Sequence, residues 1–205
     1  MDTYGRFINV GIENFQRSNY QKALLAFKFA HHKALVKGDQ KSQQKALVNI
    51  AVVLSAMDSL DSAKSYLSDA LDCDEDPMTT GFIHSMLGII QQKFGGKSES
   101  AKEYAMAVGL LNSDQSSPDV IAREALRAGL AHMQLSKYAR AISSFDLAIE
   151  QYSKNEKLPM LALVLCKKAK CLVASDSVQQ ATQICQESLD ICKGMKQDDF
   201  ACEFE

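Results

Sequence analysis

The 205-residue sequence has no tryptophan, only three prolines and four histidines, and no excess of basic charge. Without Trp and with few other aromatics, any core must be closed largely by Ala and Leu; a hydrophobic content of 46% is enough to build one. A net charge of −2 and a pI near 6.1 give no general electrostatic reason for nucleic-acid binding. No stretch approaches the roughly 18 consecutive apolar residues of a membrane span. The opening MDTYGRFINV lacks a basic segment followed by an apolar run, so no signal peptide is expected. Six cysteines without such a signal read as reduced thiols of a cytoplasmic protein.

Chemistry is equally sparse. His31 and His32 are adjacent, His84 and His132 stand far apart, and no two histidines have the i, i+4 spacing of a helical zinc site. Cys166, Cys171, Cys185, Cys192 and Cys202 gather near the C-terminus without a CxxC pair or a histidine close in sequence. The acidic stretch DCDEDPMTT lacks the regular oxygen-ligand spacing and the glycine of a calcium loop. Gly95-Gly96-Lys97-Ser98 lacks the first glycine and the preceding strand of a phosphate loop. The sequence therefore predicts no catalytic residue, no metal site and no cofactor.

What the chain does contain is a repeat. The stretch from Ala122 to Tyr152 carries Gly129, then Tyr138, Ala141, Phe145 and Ala148 at helical intervals. Aligned on Ala141, equivalent alanines are Ala23, Ala63, Ala101 and Ala181, spaced 40, 38, 40 and 40 residues apart. A small residue precedes each at nearly fixed distance: Gly11, Ala51, Gly88, Gly129 and Ala169. Four residues after each alanine come Phe27, Leu67, Ala105, Phe145 and Cys185. Gly or Ala on one helix lets a second helix approach toward the short end of the usual 8–10 Å axis separation. A pair of this size cannot bury both faces alone, so stacked neighbours are required.

The pairs are expected at about 3–39, 40–77, 78–118, 119–158 and 159–194, as a single repeat domain. Gly38 should end the second helix in the left-handed conformation, with Asp39 or Ser42 capping the third. Pro77, Pro118 and Pro159 fall where pairs must stop or start. The remaining 195–205 is either an acidic tail or the start of a further repeat.

The pattern Gly129, Tyr138, Ala141, Phe145, Ala148 resembles the tetratricopeptide repeat, whose usual unit is about 34 residues. The longer unit here is similar to that of kinesin light chains, LGN/Pins adaptors and Rap-type bacterial regulators. The resemblance covers almost the whole chain. It departs where the aromatic of the first helix is mostly missing, and in the fifth repeat, which has Cys185 and Ser188 at packing positions. It implies an all-α, right-handed superhelical solenoid of about five antiparallel helix pairs, whose first helices line a concave groove that binds a peptide or protein.

Projecting that groove onto the aligned repeats gives Ile8, Asn9, Ile12 and Phe15; Val48, Asn49 and Val52; Phe82, Met86 and Ile89; Arg123, Leu126, Arg127 and Leu130; and Lys167 and Lys170. The lining is apolar at its N-terminal end and basic at its C-terminal end, which suits an apolar segment bearing carboxylates. Asn9 and Asn49 are candidates to bond a ligand backbone. The clamp for EEVD-type chaperone tails is not expected: its Lys and Asn positions fall on Val48, Val52, Ile8 or Ile12.

The expected function is a non-enzymatic adaptor or scaffold. The alternative is a structural subunit assembling through its ends or convex face, including as a homo-oligomer. In that alternative the groove is filled by the chain's own tail through Phe200, Phe204 and the acidic residues Asp198, Asp199, Glu203 and Glu205.

Overall fold

A computed structural model describes residues 3–73, 76–113 and 117–195. Ten α-helices run in chain order: α1 Thr3–Gln16, α2 Tyr20–Lys37, α3 Gln40–Ala56, α4 Leu60–Leu71, α5 Pro77–Lys93, α6 Lys97–Ser113, α7 Pro118–Gln134, α8 Tyr138–Lys154, α9 Leu158–Ala174 and α10 Val178–Gly194. Among the described residues there is no strand, and no helix is long and apolar enough to cross a membrane. The chain divides into two compact units, Met1–Phe94 and Gly95–Glu205. The tail residues Asp198, Asp199, Phe200, Glu203, Phe204 and Glu205 lie outside the described residues.

Local signals account for the helix ends. Gly38 closes α2 in the left-handed conformation, at φ 67°. The Asp39 carboxylate then accepts the Ser42 amide at 3.0 Å and caps α3. Asp76 caps α5 in the same way through Thr79. Pro77 and Pro118 are the first residues of α5 and α7 and Pro159 the second of α9, positions whose N–H would be unpaired anyway.

The turns inside pairs obey one rule that composition hides. Ser18, Asp58, Ser136 and Asp176 all take φ between 56° and 60°. In each case the next amide reaches back to a carbonyl five residues earlier: Asn19 to Asn14, Ser59 to Leu54, Lys137 to His132 and Ser177 to Leu172, at 2.8–3.0 Å. That is the hydrogen bond of a Schellman ending, built on small polar residues where glycine is the more usual choice.

In the first unit, α1 packs on α2, α2 on α3, α3 on α4, and α5 on both α3 and α4. Its core is formed by Ala23, Phe27, Leu47, Ile50, Ala51, Val53, Ala63, Leu67, Ile83 and Ile90. In the second unit the same neighbour-to-neighbour packing runs from α6 to α10, with α7 also touching α9. Ala122, Ala125, Ala141, Phe145, Ala148, Val164 and Leu165 form its core. Packing only on near neighbours in sequence is the pattern of a helical repeat array within each unit.

The close approach expected of Gly11 and Gly129 is present. A methyl group on either would run into an aromatic ring, that of Phe27 or Phe145 respectively. Both rings are buried, and Phe145 is wholly so. Where the small residue is Ala51, the large one is Leu67, also fully buried.

Gly129→Ala should therefore cost about 1–3 kcal/mol through overpacking. Adding Phe145→Leu, which copies the Ala51/Leu67 combination, should recover part of that loss in urea denaturation. A second expectation concerns acid. Burial lowers the His132 pKa below 6.5, aided by the cations Arg140 and Lys137 and opposed by the bond of its Nδ1 to the Ala128 carbonyl. Burial lowers His31 as well. Since the unfolded chain takes up these protons first, stability should hold above pH 6.5 and fall as the pH drops below it. The melting temperature of His132→Gln should fall less over that interval.

Candidate functional site

In the first unit the candidate residues recur at matching positions of successive first helices. Asn9 and Ile12 of α1 correspond to Asn49 and Val52 of α3, two residues before and one after the small residue. Ile12 is 41% exposed and belongs to no core cluster, whereas Val52 is half-buried. Asn9 is exposed and Asn49 half-buried, and neither carboxamide has a hydrogen-bond partner among the described residues. Ile8, Phe15, Val48 and Met86 are partly buried and pack against the core. Phe15 also meets Tyr20 with ring centroids 5.6 Å apart. Phe82 and Ile89 on α5 are half-buried. The matching side chains of α1 and α3 thus combine free amide groups with accessible aliphatic surface.

In the second unit the lining is more polar. Leu126 is 8% exposed and lies in the core, with Leu130 half-buried beside it. Lys167 is half-buried and Lys170 exposed; between them in sequence, Lys168 pairs with Asp146 at 2.7 Å.

Arg123 and Arg127 are not simply two cations on a solvated face. Between them stands Glu124, completely buried. Arg127 donates to its two carboxylate oxygens at 2.9 and 3.1 Å, and Arg123 Nε donates to one of them at 3.1 Å. The carboxylate balances one of the two positive charges and fixes the position of both guanidinium groups. Nearby, burial raises the pKa of both Tyr104 and Tyr152, partly offset by Arg127 at the first and by Arg123 and Arg127 at the second. Both phenols therefore keep their protons at neutral pH.

Glu124 was not among the sequence candidates. Its signal lay in the repeat register: of the four equivalent residues, Ala46, Ile83 and Val164 are buried and apolar, and only Arg6 of the first repeat is exposed. A carboxylate placed there requires cationic partners, and the sequence provides them one residue before and three after.

Among the described residues no group of three or more His, Cys, Asp or Glu side chains is arranged to hold a metal ion. His31, His84 and His132 stand on α2, α5 and α7. His132 is engaged with its own helix through Ala128.

No protein-family model matches the sequence, and no curated protein matches it. Solved structures do. MamA of Desulfovibrio magneticus RS-1 is similar at a TM-score of 0.70 and 13% identity, over 96% of this chain and 99% of that one. YrrB, described as a TPR protein with an unusual peptide-binding site, gives 0.66 and 18% over 95% and 86%. A putative kinesin light chain of Podospora anserina with nearly identical TPR-like repeats gives 0.72 and 11% over 94% and 96%. The fold is that of tetratricopeptide-repeat proteins. At these identities the likeness extends to the fold alone. Within that fold the first helices of the repeats here are α1, α3, α5, α7 and α9, which carry all the candidate residues.

The buried ion pair gives a direct test. Arg127→Met should cost about 3 kcal/mol, because it leaves the Glu124 carboxylate buried with one flanking cation. The double substitution Glu124→Met/Arg127→Met should return stability to within about 1 kcal/mol of the parent in equilibrium denaturation, since Ala46, Ile83 and Val164 show that this register accepts a buried apolar side chain.

Proposed function

We propose that the chain is a non-enzymatic interaction module that binds a segment of another protein along its first helices. The observation that carries this reading is the repeated pair of unpartnered amides, Asn9 and Asn49, each beside an aliphatic residue, Ile12 or Val52, on adjacent repeats. Asparagine offers a donor and an acceptor to a peptide backbone, and the neighbouring aliphatic side chain offers surface to an apolar residue. Ile8, Phe15, Val48, Phe82, Met86 and Ile89 extend the apolar lining in the first unit. In the second, Arg123, Arg127, Lys167 and Lys170 supply cations for acidic groups on a ligand, with Leu126 and Leu130 beneath. The partner is thus a peptide or protein bearing apolar and acidic residues, and the EEVD chaperone tail lacks its clamp. YrrB, as a TPR protein with a peptide-binding site, supports peptide binding as a use of this architecture. The adaptor or scaffold role and a cytoplasmic setting belong to the same reading.

A second reading, assembly through an end of the array, is favoured by one specific feature. On the first pair, Val10, Leu25 and Phe29 are 40%, 57% and 47% exposed, and Phe29 stacks on Phe7 with centroids 5.4 Å apart. The residues of α3 equivalent to Phe7 and Val10 are Leu47 and Ile50, both buried in the core. Phe7 and Val10 therefore form the kind of surface that another helix covers elsewhere in this unit.

Affinity capture from extract separates the two. The wild-type chain and the triple variant Asn9→Ala/Ile12→Glu/Asn49→Ala are compared, after circular dichroism shows equal helicity and melting temperature. Partners retained by the wild type and lost from the variant are the expected result. Partners retained equally by both would overturn the groove reading. A wild-type dimer that Leu25→Lys/Phe29→Lys converts to monomer in sedimentation velocity would favour assembly instead.

A further inference from the structure

The fifth helix pair departs from the first and fourth at the position where an aromatic ring closes their interface. In the first and fourth pairs the rings of Phe27 and Phe145 lie over Gly11 and Gly129. The matching residues on α10 and α9 are Cys185 and Ala169, so one sulfur stands where those two pairs have a ring. The space remains open as a cavity of about 330 Å³ lined by Cys166, Ala169, Lys170, Val173 and Cys185. Apart from the lysine, its walls are carbon and sulfur.

Two thiols border this one cavity from opposite helices. Cys166 is one turn before Ala169 on α9, and its Sγ lies 3.3 Å from Ser188 Oγ on α10. The Ser188 hydroxyl donates to the Ala162 carbonyl at 3.0 Å, leaving its lone pairs to accept the Cys166 S–H. Cys185 is three residues before Ser188, a helical neighbour at about 5–6 Å between Cβ atoms. Cys166 and Cys185 thus line the same cavity from facing helices, with Ser188 between them in the hydrogen-bonded set. Both are exposed, whereas Cys171 on α9 is buried.

We propose that Cys166 and Cys185 form a dithiol site for a trivalent arsenical carrying an apolar substituent, which occupies the space that Phe27 and Phe145 fill in their own pairs. In the binding step an organoarsenic oxide, R–As=O, forms two As–S bonds. The arsenic–oxygen bond breaks, the two thiol protons leave with that oxygen as one water molecule, and arsenic stays trivalent throughout. No oxidant or reductant takes part. The second As–S bond forms within the molecule, so release requires both sulfurs to let go, and a competing monothiol displaces the ligand poorly. Ala169 and Val173 receive the substituent.

The probe is phenylarsine oxide, whose phenyl group matches the missing ring. The full chain is treated with one equivalent in the presence of excess reduced glutathione and examined by intact-mass spectrometry and peptide mapping. One phenylarsenic bridging the peptides of Cys166 and Cys185 is expected. Retention should drop more than about tenfold in both Cys166→Ser and Cys185→Ser, as loss of the second attachment predicts, and should persist in Cys73→Ser, Cys192→Ser and Cys202→Ser. Circular dichroism melts check that all variants fold. Cys185→Phe, which restores the ring, should also lose the label while remaining folded. Equal retention by the urea-unfolded chain, a bridge mapped to any other pair of cysteines, or label surviving in folded Cys166→Ser or Cys185→Ser would overturn the proposal.

Discussion

The close approach of paired helices is the constraint on which the rest depends. Two helices can bring their backbones near only where one side chain has been reduced to hydrogen or methyl, and the space beside that point must then be filled from the partner helix. Gly11 with Phe27 and Gly129 with Phe145 are one solution; Ala51 with Leu67 is another, in which a larger small residue accompanies a smaller large one. In these three pairs the two volumes trade against each other, so that their sum, rather than either residue, fills the interface. Ala169 with Cys185 falls short of that sum, and the cavity there is the physical consequence. The alanines of the second helices follow from the same geometry: Ala23, Ala63, Ala141 and Ala181 are all at most 3% exposed because a longer side chain would push the helices apart.

Once the pairs are fixed, the turns have little freedom. A helix that must reverse direction within a few residues needs its last carbonyls satisfied and its chain turned through the left-handed region. Ser18, Asp58, Ser136 and Asp176 meet this need at equivalent points of their pairs, and Glu156 does so in the connection between α8 and α9. Their strain is held in place by the hydrogen bond of the following amide and by the packing of the helices on either side. Between pairs the sequence uses other devices, glycine at the end of α2 and carboxylate caps at the starts of α3 and α5.

The features readable from sequence were those set by periodicity. The spacing of the small residues and alanines predicts five pairs, and α1, α3, α5, α7 and α9 begin at Thr3, Gln40, Pro77, Pro118 and Leu158, within one residue of the expected repeat starts, because caps and prolines mark those points. The left-handed serines and aspartates were hidden, since these residue types signal a turn without specifying its φ. The candidate surface was legible in part. Ile12 and Asn9 could be placed by register alone, but Leu126 reads identically to Leu130 by helical position, and only the packing of neighbouring helices puts the first in the core. Glu124 was obscured for a different reason. A carboxylate beside two arginines on a helix looks like surface, and its burial becomes evident only when its position is compared with Ala46, Ile83 and Val164.

That buried carboxylate alters what the arginines offer to a ligand. A pair of free guanidinium groups on flexible stems would lose side-chain entropy on capturing an acidic partner. Here Glu124 has already ordered both: Arg127 engages both of its oxygens and Arg123 one. Arg123 retains a side-chain exposure of 48%. Glu124 offsets one of the two arginine charges, which weakens non-specific attraction to polyanions. Lys167 and Lys170 on the next first helix lack such an anchor, and as ammonium groups on mobile stems they contribute charge with little direction. Under the proposed reading, geometric selectivity for an acidic ligand would come from α7, and the lysines of α9 would add mainly long-range attraction.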